Sequence, residues 1–516
     1  MRSPALKSAR DDAVGSVGCP GPKFIRLNEA DNVLVLPWGG NAGTEIDAFV
    51  LNEDVPAGHK VACADIAKGA VVLKYGRAIG LASRDIRRGD RVHEHNVVTR
   101  LGTEALPLWR EPKNPKKAPD GAGNGPIDTG ARTFSGFRRN GGRPGVRNDL
   151  WVIPSVGCVN GELRFILRNY RKPPWIDEVR LLEHPYGCSQ LGGDLEATRD
   201  ILTGLAGNPN AAGVLVVGLG CENLSAEELY SRIRESRGDA VKRVVLQTCE
   251  AGAPVPRLLD ELAAGAPRSR EEFPLSELCV GVKCGGSDGY SGLTANPLVG
   301  RFSDWLVSRG GTILATEIPE MFGAEEEVAS RIGDRAVFDD FIALDRWFRD
   351  YFVRYGQPIY ENPSPGNREG GITTLEEKSL GAVEKAGRAP VTKVLRYGQA
   401  AVPGGGVQIT FAPGNDLVSC TSLAGSGAQL ILFTTGRGTP FGSPTPTVKI
   451  STNTALAKKH PDWTDFDAGA LLEGETWEAA EKRLIDCVLR TACGDRVAHE
   501  RKGFGEIAIF RDGVTL

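Results

Sequence analysis

Four cysteines are notable in this chain of 516 residues because each follows a short apolar run and has small residues beside it. They are Cys158, Cys188, Cys221 and Cys284. Adjacent glycines such as Gly157 and Gly220 would let the backbone approach a ligand closely. Thiolate sulfur and imidazole suit iron or zinc, and His184 stands near Cys188. The residue types indicate a metal site, although cysteine is also a common small core residue and packing stays open for each.

The apolar runs predict the elements that would position these residues. Strand-like runs at 150–156, 179–182, 213–217, 241–247, 279–282 and 312–315 alternate with helical stretches such as 195–205 and 226–234. This alternation predicts a doubly wound, mostly parallel α/β sheet. Ligands of such sheets bind beyond the carboxyl ends of the strands. The cysteines, His184 and the carboxylates of Glu222, Asp288 and Glu317 are therefore predicted to gather on one rim.

Changes in composition divide the chain further. Residues 1–22 are predicted to be a disordered leader, 23–102 a small β domain, and 103–133 a Pro/Gly/Lys-rich linker. The α/β region is predicted in two parts, a Rossmann-like domain at 134–357 and a C-terminal α/β domain at 358–516. Whether the last part is independent or completes the sheet stays open.

The overall composition argues against several classes of function. A formal net charge of −3 predicts no general attraction to nucleic acid or to an anionic membrane. No stretch of the sequence approaches the ~20 apolar residues that span a bilayer. The eleven cysteines are an odd number spread through a long chain, which favours reduced thiols in the cytoplasm over disulfides.

Longer runs of sequence resemble the altronate/galactarate dehydratase family over nearly the whole chain. These runs are AGHKVACADIAKGAVVLKYGRAIG, GVRNDLWVIPSVGCVNG, HPYGCSQLGGD, GVLVVGLGCEN, CGGSDGYSGLTANP, ENPSPGNREGGITTLEEKSLG, FTTGRGTPFG and GVTL. The first is similar to the family's N-terminal SAF-type, β-clip-like domain, and the others are similar to its catalytic portion. VIPSVGCVNG, GLGCEN and the stretch APGND look closer to the altronate branch than to the galactarate branch.

The resemblance implies a hydro-lyase that removes water from D-altronate and gives 2-dehydro-3-deoxy-D-gluconate in hexuronate (galacturonate) catabolism. It also implies ferrous iron, with manganese or another divalent ion as the alternative. A metal bound by the substrate carboxylate and 2-hydroxyl would stabilise the enediolate that forms when the C2 proton leaves. A base and an acid would handle the two protons. The expected partner is a small sugar acid, with no nucleic acid or membrane, and a homo-oligomer is expected.

Roles for individual residues follow as hypotheses. The predicted metal ligands are His184, Cys188, Cys221 and Cys284, and the predicted catalytic residues are His59, Lys60, Glu222, Asp288 and Glu317. His59 titrates near neutral pH and would act with Lys60 if the small domain folded over the cleft; the alternative is a surface His-Lys turn. His93 and His95 flank Glu94, but this alternation is more typical of a solvated strand edge.

The predicted substrate-binding residues are Arg147, Asn362, Asn367, Arg437 and Lys449. Arg437 lies in a glycine-rich loop at 435–442, where a guanidinium and exposed backbone N–H groups suit a carboxylate. A surface turn arginine is the alternative. The prolines around Asn362 and Asn367 would equally well brace a turn.

Three other interpretations stay open. The first is a lyase of the same family that acts on galactarate or on another 2-hydroxy acid such as sulfolactate. The second is a [4Fe–4S] cluster on three or four of the cysteines, which is less favoured than a single ion because they do not form a tight ferredoxin-like run. The third, from another class, is a non-catalytic sugar-acid-binding protein; it would predict disrupted motifs, whereas the motif residues are all present.

Overall fold

A computed structural model of the chain describes residues 21–102, 106–110, 130, 133–250 and 253–513. The predicted leader, except for its last two residues, and most of the predicted linker lie outside the described residues. Within the described ranges, no helix has both the length and the hydrophobicity needed to cross a membrane.

The N-terminal part is a small β domain of short antiparallel strands, as its turn-rich sequence predicts. Its strands are β1 (Val33–Leu36), β2 (Glu45–Ile46), β3 (Phe49–Val50), β4 (His59–Ala62), β5 (Val71–Lys74), β6 (Arg77–Ala82), β7 (Arg91–Val92) and β8 (Val97–Val98). They form two three-stranded sheets, β1-β4-β7 and β5-β6-β8, and the β2-β3 hairpin. The β5-β6 hairpin turns at Tyr75 and Gly76, whose φ angles of 63° and 70° fit a two-residue turn that matches the twist of the strands.

The second part is a parallel sheet with helices on both faces. After β9 (Thr133–Gly136), its elements are β10 (Asp149–Pro154), α1 (Asn160–Asn169), β11 (Val179–Leu181), α2 (Gly192–Ala206), β12 (Ala211–Gly218), α3 (Ala226–Arg237), β13 (Val241–Val245) and α4 (Pro254–Gly265). The strand order is β11-β10-β12-β13. Helices α1 and α4 pack on one face through Leu163 and Leu259, and α2 and α3 pack on the other through Ile201 and Ile233. The sheet is doubly wound, as predicted.

The third part contains a seven-stranded parallel sheet. The third part begins with β14 (Glu271–Pro274), which lies outside this sheet and pairs with β9 in antiparallel fashion. The seven strands of the sheet are β15 (Cys279–Cys284), β16 (Thr312–Ala315), β17 (Val391–Leu395), β18 (Gly406–Thr410), β19 (Leu430–Thr435), β20 (Thr447–Ser451) and β21 (Phe466–Asp467). Their order in the sheet is β17-β18-β16-β15-β19-β20-β21.

Helices cover both faces of this larger sheet. They are α5 (Ala295–Val307), α6 (Glu325–Ala329), α7 (Arg335–Arg354), α8 (Pro365–Glu369), α9 (Leu375–Val383), α10 (Asp416–Gly425), α11 (Thr454–Lys459), α12 (Trp477–Ala492) and α13 (Ala498–Arg501). Phe302 of α5, Phe341 of α7 and Leu484 of α12 belong to the core on one face. Leu423 of α10 belongs to the core on the other face.

The division of the α/β region differs from the predicted boundary between residues 357 and 358. Strands β15 and β16, which precede this boundary, pair with β19 and β18, which follow it. The region therefore contains two sheets, at 149–245 and 279–467, and the predicted single rim is shared between them. The physical reason is that hydrophobic periodicity identifies a buried strand without indicating which strands pair.

Candidate active site

A group of buried charges lies at the carboxyl ends of β15 and β16. Lys283 and Cys284 end β15, and Glu317 follows β16 in a left-handed conformation with φ of 69°. The ammonium nitrogen of Lys283 donates to Oε1 of Glu317 at 2.5 Å and lies 3.1 Å from Oδ1 of Asp416. A left-handed glutamate costs of order 1–3 kcal/mol, a strain that is found mainly at functional sites.

Two further lysines and a second glutamate complete this group. Lys385 donates to Sγ of Cys284 at 2.9 Å and to Oε2 of Glu317 at 3.0 Å. Lys378 pairs with Oε1 of Glu320 at 2.9 Å, and Sγ of Cys284 lies 3.6 Å from Oε2 of Glu320. We call the set the lysine–carboxylate cluster; its members are Lys283, Cys284, Glu317, Glu320, Lys378 and Lys385. All six side chains are buried.

The ionisation of the cluster follows from its contacts. Burial alone would raise the pKa of Glu320, but the neighbouring ammonium groups of Lys378, Lys283 and Lys385 lower it to about 2. Burial and the carboxylate of Glu317 raise the pKa of the Cys284 thiol to about 11 in spite of the lysines. Glu320 is thus a carboxylate at neutral pH and Cys284 a neutral thiol.

The loop that contains Asn362 and Asn367 folds onto this cluster, and its role in substrate binding stays a prediction. Lys378 donates to Oδ1 of Asn362 at 3.0 Å and to Oδ1 of Asn367 at 3.2 Å. The amide nitrogen of Asn367 donates to the carbonyl of Ser287 at 2.7 Å. The two asparagines are therefore held by Lys378 beside the carboxyl end of β15.

Asp288 lies next to this loop but its carboxylate is fully engaged. It accepts hydrogen bonds from the hydroxyl of Thr452 at 2.9 Å, the hydroxyl of Ser291 at 3.0 Å and the amide of Asn453 at 3.1 Å. A Cβ on Gly436 would lie 2.3 Å from Oδ2 of Asp288, so only glycine fits there. Burial raises the pKa of Asp288 above its usual value in spite of these hydrogen bonds. The contacts give Asp288 a positioning role toward the 435–442 loop.

Arg437 and Lys449 occupy different positions around that loop. The half-exposed Arg437 donates to the carbonyl of Gly366 at 3.2 Å and pairs with the exposed Glu369 at 2.9 Å. Lys449 is buried under the loop and donates to the carbonyls of Thr439 and Phe441. Arg437 is therefore placed to meet an anion from solvent, whereas Lys449 supports the loop from below.

The small β domain contacts the third part through His59 and Lys60, whose catalytic roles stay predictions. Lys60 in β4 is fully buried and donates to the carbonyl of Gly371 at 2.7 Å and to Oε2 of Glu377 at 2.9 Å. The other oxygen of Glu377 accepts from Lys74 at 2.8 Å. Burial lowers the pKa of Lys60 to about 8. Burial would raise the pKa of Glu377, but the two lysines lower it to about 2.

His59 is held as a neutral imidazole with one free lone pair. Its Nε2 lies 3.2 Å from the carbonyl oxygen of Glu369. Because a carbonyl only accepts, Nε2 must carry the hydrogen, which leaves the lone pair on Nδ1. Nδ1 is buried and has no partner among the described residues. Burial lowers the pKa of His59 to about 4. The ring centroids of His59 and His93 are 5.0 Å apart in an edge-on arrangement. His93 is buried and does not lie on a solvated strand edge.

Two predicted site residues have structural roles instead. Arg147 uses all five N–H bonds on Glu500, Val146, Thr491 and Asp495, including two bonds of 2.8 Å to the carboxylate of Glu500. Arg147 therefore has no N–H left to bind a substrate. In His184, Nε2 lies 2.9 Å from the carbonyl of Pro154 and Nδ1 accepts from the N–H of Tyr186 at 3.2 Å. His184 therefore has no nitrogen left for a metal.

The other predicted ligands are divided between the two sheets. Cys188 and Cys221 are exposed and follow β11 and β12 of the second part, where the exposed Cys158, which is not among the predicted ligands, follows β10. Cys284 is buried in the third part, where it belongs to the lysine–carboxylate cluster. Glu222, beside Cys221, accepts from the hydroxyl of Ser155 at 2.7 Å and from the N–H of Gly220 at 2.6 Å. The structure thus does not bring the four predicted ligands together.

Three family models match successive parts of the chain. The Altronate/galactarate dehydratase SAF domain matches residues 22–100. The second domain of D-galactarate dehydratase/Altronate hydrolase matches 136–266, and the C-terminal domain of D-galactarate/Altronate dehydratase matches 275–515. Altronate dehydratase of Bacillus subtilis (strain 168) is 45% identical over 96% of this chain and 99% of its own length.

This chain belongs to the altronate/galactarate dehydratase family. It is therefore a hydro-lyase. Altronate dehydratase of Escherichia coli (strain K12) is 44% identical over 96% of this chain and 100% of its own length. Galactarate dehydratase (L-threo-forming) of the same organism is 34% identical over 92% of this chain and 94% of its own length.

Sequence reasoning missed most of the charged residues of this candidate site. The missed residues are Lys74, His93, Lys283, Glu320, Glu377, Lys378 and Lys385. One usable signal was a lysine inside an apolar run, as in CVGVKC of β15, because a buried lysine needs a partner. The charges in LEEKSLG predict a solvated helix face, yet every residue of α9 from Leu375 to Ala382 is buried.

Proposed function

We propose that this dehydratase converts D-altronate to 2-dehydro-3-deoxy-D-gluconate, with ferrous iron, in the cytoplasm. One observation carries the choice of substrate. The chain is 45% and 44% identical to two altronate dehydratases over their whole length, against 34% to the galactarate dehydratase. The ten free cysteines of the described residues support a reducing compartment. The homo-oligomeric state and the absence of macromolecular partners stay predictions.

The proposed reaction needs a base for the C2 proton, and His59 has the properties of one. Its Nδ1 carries a lone pair that no described residue occupies, and a pKa of about 4 keeps the ring neutral at physiological pH. A substrate carbon placed against Nδ1 would lose its proton to the imidazole. His59 is the proposed general base.

The departing C3 hydroxyl needs a proton, and Lys60 is the proposed acid. Two of its three N–H bonds go to Gly371 and Glu377, which leaves one N–H for substrate. A lysine with a pKa of about 8 exchanges its proton readily near neutral pH, unlike a solvated lysine. Because Lys60 follows His59 directly in β4, one strand would supply both groups.

The negative charge of a sugar acid and of its enediolate needs positive groups. Arg437 offers a half-exposed guanidinium beside the Asn362–Asn367 loop and would hold the substrate carboxylate. Lys378, which touches both asparagines, would add positive potential in a site with little water. In this proposal the asparagine amides orient the sugar hydroxyls.

A divalent ion would stabilise the enediolate when bound, but the lysine–carboxylate cluster does not fit one. The donor atoms of Cys284, Glu317 and Glu320 do lie within 4.8 Å of one another. However, Lys283, Lys378 and Lys385 already neutralise these donors, and an added cation would face three ammonium groups. Cys284 is also a thiol and not a thiolate at neutral pH. No step is therefore assigned to a metal in this cluster.

The test is turnover of D-altronate by the anaerobically prepared protein, with formation of the 2-keto-3-deoxy acid as the readout. Galactarate and sulfolactate are run in parallel, each with and without added ferrous iron. We expect D-altronate to give the highest kcat/KM. The His59→Gln variant should lose ~10²–10⁴-fold in kcat. His95→Gln, which changes an exposed histidine of the same domain, should keep full activity.

Each other outcome has a distinct meaning. Faster turnover of galactarate would contradict the substrate assignment while keeping the family. Binding of D-altronate without product would support the sugar-acid-binding alternative. Full activity of His59→Gln would exclude His59 as the base.

A further inference from the structure

Three exposed thiols share one edge of the sheet in the second part, whereas the lysine–carboxylate cluster belongs to the larger sheet of the third part. Cys158, Cys188 and Cys221 follow β10, β11 and β12, which are neighbouring strands in the order β11-β10-β12. Because the strands are parallel, their carboxyl ends lie on the same edge of the sheet. Three solvent-exposed cysteines on three adjacent loops form a set to which the proposed acid–base chemistry of His59 and Lys60 assigns no role.

This edge is where a sheet of this topology binds its ligands. The chain leaves β10 toward α1 on one face and leaves β12 toward α3 on the other face. Two neighbouring strands whose connections diverge in this way form a topological switch point, and a crevice opens beyond their carboxyl ends. Cys158 follows one of these two strands and Cys221 follows the other.

The loops that carry the cysteines are tightly tied to one another. The N–H of Gly157 donates to the carbonyl of Tyr186 at 2.8 Å, and the N–H of Ser189 donates to the amide oxygen of Asn223 at 2.8 Å. A Cβ on Gly187 would lie 1.8 Å from the carbonyl oxygen of Ser155, so this approach requires glycine. The three thiols are therefore presented by a braced framework.

The helices beyond these loops favour negative charge at the same edge. Helix α1 begins two residues after Cys158, and α2 and α3 begin four and five residues after Cys188 and Cys221. The N-terminus of a helix carries a partial positive charge that stabilises anions such as thiolates. Three such ends together favour a group that is held by thiolates.

The spacing of the sulfurs distinguishes a site for a single metal ion from a site for an iron–sulfur cluster. Thiolates on one tetrahedral ion, with bonds of about 2.3 Å, lie within ~4.6 Å of one another. Among the described residues, the trio of donors with all atoms within 4.8 Å is Cys284 with Glu317 and Glu320, so the three exposed sulfurs are spread more widely. In an iron–sulfur cluster each thiolate binds a different iron, so the sulfurs do not have to lie that close together.

We infer that Cys158, Cys188 and Cys221 bind a [4Fe–4S] cluster, whose fourth iron has no protein thiolate. His184 is bonded to backbone through both nitrogens, and the half-buried Cys249, which follows β13 on the same edge, donates its thiol to the carbonyl of Leu246. The exposed thiols of this edge among the described residues are therefore three. The iron of the proposed function is thereby given a place and a form, and in that respect the inference rests on the proposed function. An iron without a protein ligand is open to an oxygen ligand such as a hydroxyl or a carboxylate.

The test measures the cluster directly and does not depend on turnover. The full-length protein is prepared anaerobically and reconstituted with ferrous iron and sulfide. Iron and acid-labile sulfide are then quantified, with the visible absorption and the electron paramagnetic resonance spectrum of the reduced protein. We expect about four irons and about four sulfides per chain, with a brown chromophore.

Serine variants locate the ligands. Cys158→Ser, Cys188→Ser and Cys221→Ser should each lose most of the iron, the sulfide and the chromophore, while circular dichroism shows the same folded content because the thiols are exposed. Cys493→Ser is the matched control, since Cys493 is also exposed but lies at the end of α12. Cys284→Ser should likewise keep the cluster.

Two results would overturn the inference. One is a wild-type protein that binds a single iron, or none, without sulfide. The other is a full cluster in all three variants. Failure of the proposed function is distinguishable: a protein with an intact cluster that does not dehydrate D-altronate refutes the substrate alone. A cluster-free protein that turns over D-altronate refutes the cluster alone.

Discussion

Glu377→Gln removes the charge that holds the small β domain on the third part. Glu377 is the shared partner of Lys60 and Lys74, with distances of 2.9 Å and 2.8 Å, and its side chain is 1% exposed. Its pKa is lowered from 4.5 to about 2, which corresponds to ~3 kcal/mol at about 1.4 kcal/mol per unit. Breaking a buried ion pair typically costs ~3–5 kcal/mol because a charge stays buried without a partner. We therefore expect the Glu377→Gln variant to lose ~3–5 kcal/mol of unfolding free energy.

Glu327→Gln provides the matched control. Glu327 also joins the two parts, through an ion pair with Arg77, but both side chains are substantially exposed. An exposed pair contributes ~0–1 kcal/mol. Urea and thermal unfolding of both variants, together with limited proteolysis of the small domain, give the comparison. Equal stability of the two variants would refute the importance of the buried pair.

The pH dependence of this contribution has a defined sign. Because the folded pKa of Glu377 is depressed, its stabilisation is present above pH 4.5 and is lost as the pH falls from 4.5 to about 2. In Glu377→Gln this part of the acid sensitivity should be absent.

Three further predictions follow from the structure. Burial lowers the pKa of His184 to about 4 and also lowers the pKa of His59, His93 and His499, so stability should fall as the pH drops from 6.5 to 4. In His184→Gln the slope of unfolding free energy against pH should be smaller by ~1.4 kcal/mol per pH unit, and an unchanged slope would contradict this. Arg147→Lys should cost ~3 kcal/mol of unfolding free energy with KM unchanged, whereas a raised KM at full stability would restore Arg147 as a substrate residue. Arg437→Gln should raise KM for the sugar acid by ~10–100-fold without changing the melting temperature, and an unaffected KM would remove it from the proposed site.

The sequence predicted the types of element better than their arrangement. The runs that became β10, β12 and β15 are apolar enough to be identified as buried strands. Their assignment to two sheets depends on long-range pairing, such as β15 with β19 about 150 residues later, which leaves no local trace. The small β domain was predictable because its glycine turns are local signals.

The candidate site was predicted only where a residue type is distinctive. His59 was recognisable because histidine is rare in this chain and can act near neutral pH. Lys378 and Lys385 were not, since lysine is a common surface residue and its burial depends on Glu320 and Glu317 from another element. Arg147 was misassigned because a sequence does not indicate that a distant Glu500 binds its guanidinium.

The contact between His59 and Glu369 joins residues that are 310 positions apart, and this separation affects how the protein is made. At ~5–20 residues per second, a ribosome needs ~15–60 s to add those residues after the first domain has emerged. During that interval Lys60 and Lys74, which end fully buried, remain hydrated. The nascent small domain must therefore be soluble with both lysines in water. Its proposed proton-transfer pair, His59 and Lys60, acquires its final environment only after the third part has been synthesised.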